Sequence, residues 1–402
     1  MVSTLIAVAI FGLRDQIRKL GLEVGPGKQF ARIEDAVASA ESGDVIQVFP
    51  DPRGYPKTAV RIQVPSITIR GEGMKAVEIK GDGFDYSGSG SVPRAIFQID
   101  PSGTGTTIEN LKLSGAHNSS FNAAGVRIQG ASEVTVKNCI IHDNDMGIMS
   151  NGKEGEPMAA SHQRIEYCLI ERNGNLEDPG YNHNLYLGGT SALVSHCEIR
   201  NSITGHNVKS RTHFIEIQGC YIHDAANREI DLPEAWDTVR PNSNAVLIGN
   251  RIVKNSKCAG NRGVIHFGQE KGSRHGNIFL FLNTIVTPFS SPILTVTCRE
   301  ASLIAEGNTF LNVDQGKVQL WESVANDLKV AARGNRLSPG YGSLSGNNTT
   351  ALKRSEMFGL ESPLFLNSPV PKLPISWIDG YGTTISITPN VDLFSKVGPQ
   401  QL

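Results

Sequence analysis

The chain has 402 residues with 38 Lys and Arg against 39 Asp and Glu, a formal charge of −1 at pH 7. So even a balance argues against a nucleic-acid binder or a protein held on membranes by charge. Forty-two Gly, 20 Pro and only 6% aromatic residues point to many tight corners rather than one large core.

In chain order, the first feature is an apolar run, Leu5 to Leu13, of nine residues. It is too short to span a bilayer. It reads either as a signal-like core or as an ordinary N-terminal helix, and residues 1–21 are set apart on that account. Residues Phe30, Ile33, Ala36, Val37 and Ala40 then form an apolar stripe at helical spacing, with a turn at Gly43-Asp44 and a strand from Val45 to Phe49 after it. That spacing predicts a short helix lying over the open end of the strands beyond it.

A repeat occupies the centre of the chain. A short phrase recurs around Asn110, Cys139, Cys168, Cys197, Cys220, Asn250, Asn283, Asn308 and Asn335, at spacings of 29, 29, 29, 23, 30, 33, 25 and 27 residues. Units of this length bury their apolar faces against their neighbours. Apolar residues two apart, as in Val134 and Val136 or Ile215 and Ile217, give strands, and long helical patterns are absent. The fold class is all-β: a single-stranded right-handed parallel β-helix over residues 22–337, capped by the N-terminal helix. Residues 338–402, broken by Pro363, Pro369, Pro371 and Pro374, read as an irregular tail packing on the last coils.

Stacked coils place equivalent side chains ~4.8 Å apart. The Asn and Cys positions from Asn110 to Asn308 should therefore form one buried, vertically aligned ladder, with Cys as a small apolar filler rather than a redox or metal group. Cys258 and Cys298 remain as the one pair that could bridge.

Polar insertions at 151–162, 172–183, 233–244 and 268–277 mark loops, which on a solenoid gather along a groove. Three strands between them, NHNLYLGG from Asn182, GHNVKSR from Gly205 and NREIDLPE from Asn227, can be aligned on their apolar residues. With Leu185, Val208 and Ile230 inward, one outward column runs Met149, Tyr186, Lys209, Asp231 and His266. Alternation also turns Asn184, Asn207 and Glu229 outward, with Arg211 beyond Lys209. His183, His206 and Arg228 fall at strand starts, where direction is open. Each residue alone reads as a solvated side chain or half of a surface ion pair; their convergence on neighbouring rungs marks a candidate site.

These phrases, the VGPG opening at Val24 and the series GHNVKSR, REIDLPE and LIGNRI resemble bacterial right-handed parallel β-helix repeat proteins of the pectate-lyase-like superfamily, over roughly residues 22–340. The superfamily's lyases work in an outer groove with a Lys or Arg base, many with Ca²⁺ held by carboxylates. The resemblance thus implies Lys209 and Arg211 as catalytic with Tyr186, His206 and Asp231 beside them. The aligned columns offer Asn184, Asn207, His183, Arg228 and His266 as substrate-binding, and the resemblance implies Glu229 and Asp231 as ligands of Ca²⁺. The expected reaction is β-elimination on an acidic, uronate-containing polysaccharide, with Lys209 exposed as base and Tyr186 as acid, outside the cell or in the periplasm. Hydrolysis by Glu229, Asp231, Glu234 or Asp237, uronate epimerisation, and a noncatalytic carbohydrate-binding solenoid remain open alternatives. No nucleic-acid partner and no membrane span are expected.

Overall fold

The computed structural model describes residues 21–90, 92–152, 159–270, 274–299, 301–314, 316–324 and 328–342, and the backbone of Ile375–Ile378 and Thr384–Ile387. The expected N-terminal segment and most of the expected tail lie outside these residues. No helix among those described is long and apolar enough to cross a membrane.

Three long parallel sheets run the length of the molecule. One has twelve strands, from Leu22–Val24 to Lys329–Arg333, and the other two have ten each. Every strand of these three sheets pairs with the equivalent strand one coil away, so the chain climbs one rung per turn. This is the parallel β-helix that the repeat predicts. Its interior is a stack of aliphatic residues: in the third sheet Val126, Ile148, Leu185, Val208, Ile230 and Ile265 are all buried and in register. Each such side chain contributes about 1.5–3 kcal/mol by leaving water. The helix Ile33–Ser39 buries Ile33, Ala36 and Val37 against the first coil.

The ladder corrects the predicted register at one end. Ile140 pairs with Leu169 on one side and with Lys112 on the other, so Cys139 is level with Cys168 and with Leu111, not Asn110. Asn110 belongs instead to the column just before the ladder, with Asn138, Tyr167, His196, Gly219 and Gly249, all at positive φ. This column makes the corner between the first and second sheets. Asn tolerates the left-handed bend, which is why Asn110 occupies the corner while Leu111 fills the buried slot. From Cys139 to Asn335 the ladder is continuous. The Cys197 thiol accepts from the Cys168 N–H at 3.4 Å, and further along Asn side chains bond one another directly. All six Cys are free thiols, including Cys258 and Cys298.

Asn283 shows what the ladder contributes. Its Oδ1 accepts from Asn250 N–H (3.0 Å) and Nδ2 (2.9 Å), and its Nδ2 donates to Leu247 O (2.8 Å) and Asn308 Oδ1 (3.0 Å). Asn283→Ala strips these bonds and leaves buried groups unsatisfied, at a cost of about 3 kcal/mol. Asn283→Cys should cost less, since sulfur accepts from the same N–H on earlier rungs. Denaturant midpoints of the two variants check this, and equal losses would contradict it.

Candidate active site

The third sheet carries the site on its outer face. Its register sets Met149 beside Tyr186, Tyr186 beside Lys209, Lys209 beside Asp231 and Asp231 beside His266. The outward column read from apolar alternation is therefore present in the structure.

Alternation fails at the strand starts. Asn184, Asn207 and Glu229 are 0% exposed and turn inward, not outward. Two successive residues, 184 and 185, both face the interior because the chain is still rounding a corner when the strand begins. There they build a second internal ladder. Asn173 Nδ2 donates to Asn184 Oδ1, Asn184 Nδ2 to Asn207 Oδ1 (2.8 Å each), and Asn207 Nδ2 to Glu229 Oε2 (2.7 Å). The inward pair throws the preceding residues outward. His206 Nε2 lies 3.3 Å from Asp231 Oδ2, and Arg228 Nη1 lies 3.8 Å from Asp231 Oδ1. His183 stacks on His206 with centroids 5.1 Å apart and meets Tyr186 edge-on at 5.4 Å.

Glu229 thus sits at the end of an internal polar ladder, not in a groove. Burial pushes its carboxyl up to about 7, although Lys254, the Ala225 N–H and Asn207 favour the anion. The sign is set by which state holds the proton. Between the unfolded value and about pH 7 the native state holds a proton that the unfolded chain has released, so stability falls as pH rises through this window. Glu229→Gln should match the wild type near pH 5 and exceed it near pH 8, by on the order of 3 kcal/mol for so buried a group. Thermal unfolding of both proteins across that range measures it, and a pH-independent difference would contradict it.

Asp231 is 1% exposed. Burial alone would raise its pKa, but the His266 bond and the neighbouring His206 and Lys209 outweigh this and hold the carboxyl far below the usual range. Asp231 Oδ1 meets His266 Nδ1 at 2.7 Å, and His266 Nε2 meets Thr297 Oγ1 at 2.7 Å. Both ring nitrogens of His266 are thereby occupied, so it orients Asp231 rather than facing a substrate. Burial pushes His206 down to about 4 and His183 well below the ordinary value. At neutral pH both are uncharged rings, stacked on each other, with His183 against Tyr186.

Lys209 differs from expectation. It is 9% exposed, because Glu270 folds across it. Lys209 Nζ donates to Glu270 Oε1 at 2.9 Å and lies 3.3 Å from Asp231 Oδ2. Glu270 Oε2 accepts from Arg211 Nη2 at 2.6 Å, while Arg211 Nε donates to the Tyr186 hydroxyl at 3.1 Å. Burial raises the Glu270 pKa, but its bonds to Lys209 and Arg211 prevail and lower it. Burial lowers that of Arg211, but Tyr186 and Glu270 prevail and raise it.

Glu270 and its anchors were not evident from sequence. The Glu270 N–H donates to the Glu234 carboxylate, and Gln269 N–H to Thr297 Oγ1 at 2.7 Å. The one available signal was Gly268 at a strand end. It adopts φ +144, and a Cβ there would collide with Thr297 Oγ1 and the Cys298 nitrogen, so the turn that aims Glu270 requires glycine.

The residues expected to hold Ca²⁺ do not fit the ion. Glu229 is bound to Asn207 and Ala225 N–H inside the coil, while Asp231 faces His266, Lys209 and Arg228 outside it. Among the described residues no group of three or more His, Cys, Asp or Glu could hold a metal ion. Of the walls expected for the groove, 153–158 lie outside the described residues, as does the side chain of the hydrolytic candidate Asp237.

No family model matches the chain, and no curated protein matches it. Among solved structures it resembles the catalytic unit of a thermostable GH87 α-1,3-glucanase from Streptomyces thermodiastaticus. The TM-score is 0.52 and the identity 13%, over 79% of this chain and 63% of that one, so this chain spans less than two thirds of that protein. It also resembles the pectate lyase Pel9A, with TM-score 0.47 and 12% identity over 81% and 79% of the two chains. A pectin methylesterase from Yersinia enterocolitica gives TM-score 0.40 and 11% identity over 84% and 98%. Likeness at this identity establishes the fold alone, a right-handed parallel β-helix.

Proposed function

We propose that this chain is a polysaccharide lyase that cleaves a uronic-acid polymer by β-elimination on the outer face of its third sheet. The observation that carries the reading is the seating of a carboxylate, that of Glu270, between Lys209 Nζ and Arg211 Nη2. A fork of ammonium and guanidinium that accepts one carboxylate is suited to another. A substrate uronate takes that place as the partly exposed Glu270 side chain turns outward, and pairing with the fork acidifies the adjacent C–H.

The geometry favours an exchange of the roles expected from sequence. Lys209 is a donor between two carboxylates, whereas the Tyr186 oxygen accepts a hydrogen bond from Arg211. Tyr186 therefore takes the proton from carbon, the C–H electron pair forms the new double bond, and the C–O bond to the leaving sugar breaks. The leaving oxygen takes a proton from the Lys209 ammonium, one rung away. Proton return from Tyr186 to Lys209 through water restores the site. A polymeric substrate of this kind places the enzyme's work outside the cell or in the periplasm.

Hydrolysis is the second reading, favoured by Glu270, which is partly exposed and has its backbone anchored on Glu234. A panel of polygalacturonate, alginate and hyaluronan separates the readings. Growth of the ultraviolet absorbance of an unsaturated uronide supports the lyase. Reducing ends without that absorbance would replace it with a hydrolase, and binding without either would leave a carbohydrate-binding solenoid.

A further inference from the structure

The outward column of the third sheet continues past the site. Register sets Met149 beside Arg127 and Arg127 beside Gln98, so Arg127 stands three rungs from Lys209, about 14 Å away at ~4.8 Å per rung. Its side chain is buried, the residue being only 3% exposed, yet its partners are neutral. Nε donates to Gln129 Oε1 at 3.1 Å, and among the described residues Nη1 reaches only the thioether of Met149 at 3.0 Å. Arg94, just ahead of the strand Ala95–Ile99 on the adjacent coil, adds a second guanidinium, whose Nε is buried with no hydrogen-bond partner.

The two cations disfavour each other. Burial, and then the charge of Arg94, push Arg127 down to about 10, and among the described residues no carboxylate opposes this. Arg61, further along the same column, is by contrast paired with Asp100. Burying like charges without an anion lowers stability. Residues that weaken a fold in this way commonly serve a ligand.

We propose that Arg94 and Arg127 form a second carboxylate subsite, which grips a uronate of the same polymer about three sugars from the bond that is cleaved. A sugar ring in an extended chain advances by about one rung, so a polymer lying along the solenoid meets the fork of Lys209 and Arg211 and then this pair. The inference rests on the acidic-polymer reading above and adds length dependence to it: short oligomers reach one cationic site, longer ones both.

The test uses the full chain, with dimers and hexamers of galacturonate, of mannuronate and guluronate, and of glucuronate as calorimetric ligands. Arg127→Met and Arg94→Gln should each weaken hexamer binding by about 10-fold, the loss of one charge-assisted contact, and leave dimer binding unchanged. Without ligand, Arg127→Met should melt at the same temperature as the wild type or higher, since a buried unpaired charge is removed. Unchanged hexamer affinity, equal losses for dimer and hexamer, or a lowered melting temperature with unchanged affinity would each overturn the subsite. A length-dependent loss in a protein that yields no unsaturated product keeps the subsite and removes the lyase chemistry. Unsaturated product without a length-dependent loss does the reverse, and failure to bind any of these oligomers removes both.

Discussion

Lys209→Ala lowers turnover on the cleaved polyuronate by ~10²-fold or more, the usual contribution of a positioned acid or base. The alanine protein loses the ammonium that protonates the leaving oxygen and half of the fork that holds the substrate carboxylate. It also leaves Asp231, held ionised and almost inaccessible to solvent, short of a cation. That loss destabilises the variant by about 3 kcal/mol, so rates are compared well below its melting temperature. Lys209→Arg restores the charge but not the rate, because a guanidinium stays protonated at neutral pH and cannot pass its proton on. Recovery of full turnover in the arginine variant would show that Lys209 acts by charge alone.

Tyr186→Phe should cost turnover to a similar degree, ~10²-fold or more, with little change in substrate affinity. The ring keeps its packing against the cluster of Ala95, Ala124 and Met146 and its edge contact with His183, and only the oxygen that accepts from Arg211 Nε is lost. The split between kcat and KM is what distinguishes the base from a binding group. A phenylalanine variant with a raised KM and unchanged kcat would return the base to another residue.

The residues legible in the sequence are those set by alternation inside regular strands. Leu185, Val208 and Ile230 are apolar and two apart from their inward neighbours, which fixes the opposite direction of Tyr186, Lys209 and Asp231 once the coils are aligned. Asn184, Asn207 and Glu229 escape this logic because corners are made by backbone dihedrals, which the apolar pattern does not record. The same cause shifts Asn110 by one position, where an Asn at φ 55 imitates a ladder residue. Glu270 is hidden for a different reason. It lies in a polar insertion, and only the fold brings it across 61 positions of sequence to Lys209. Its arrival changes the chemistry more than any other contact, since it covers the expected base and reveals the fork as a carboxylate site.

The most direct test of elimination at this site is the mass of the products formed in heavy-oxygen water. Elimination breaks the C–O bond without adding water, so the fragments of the cleaved polyuronate should sum to the mass of the parent chain and carry no heavy oxygen. Fragments that together weigh one water more, with the label at the new chain end, would contradict the account.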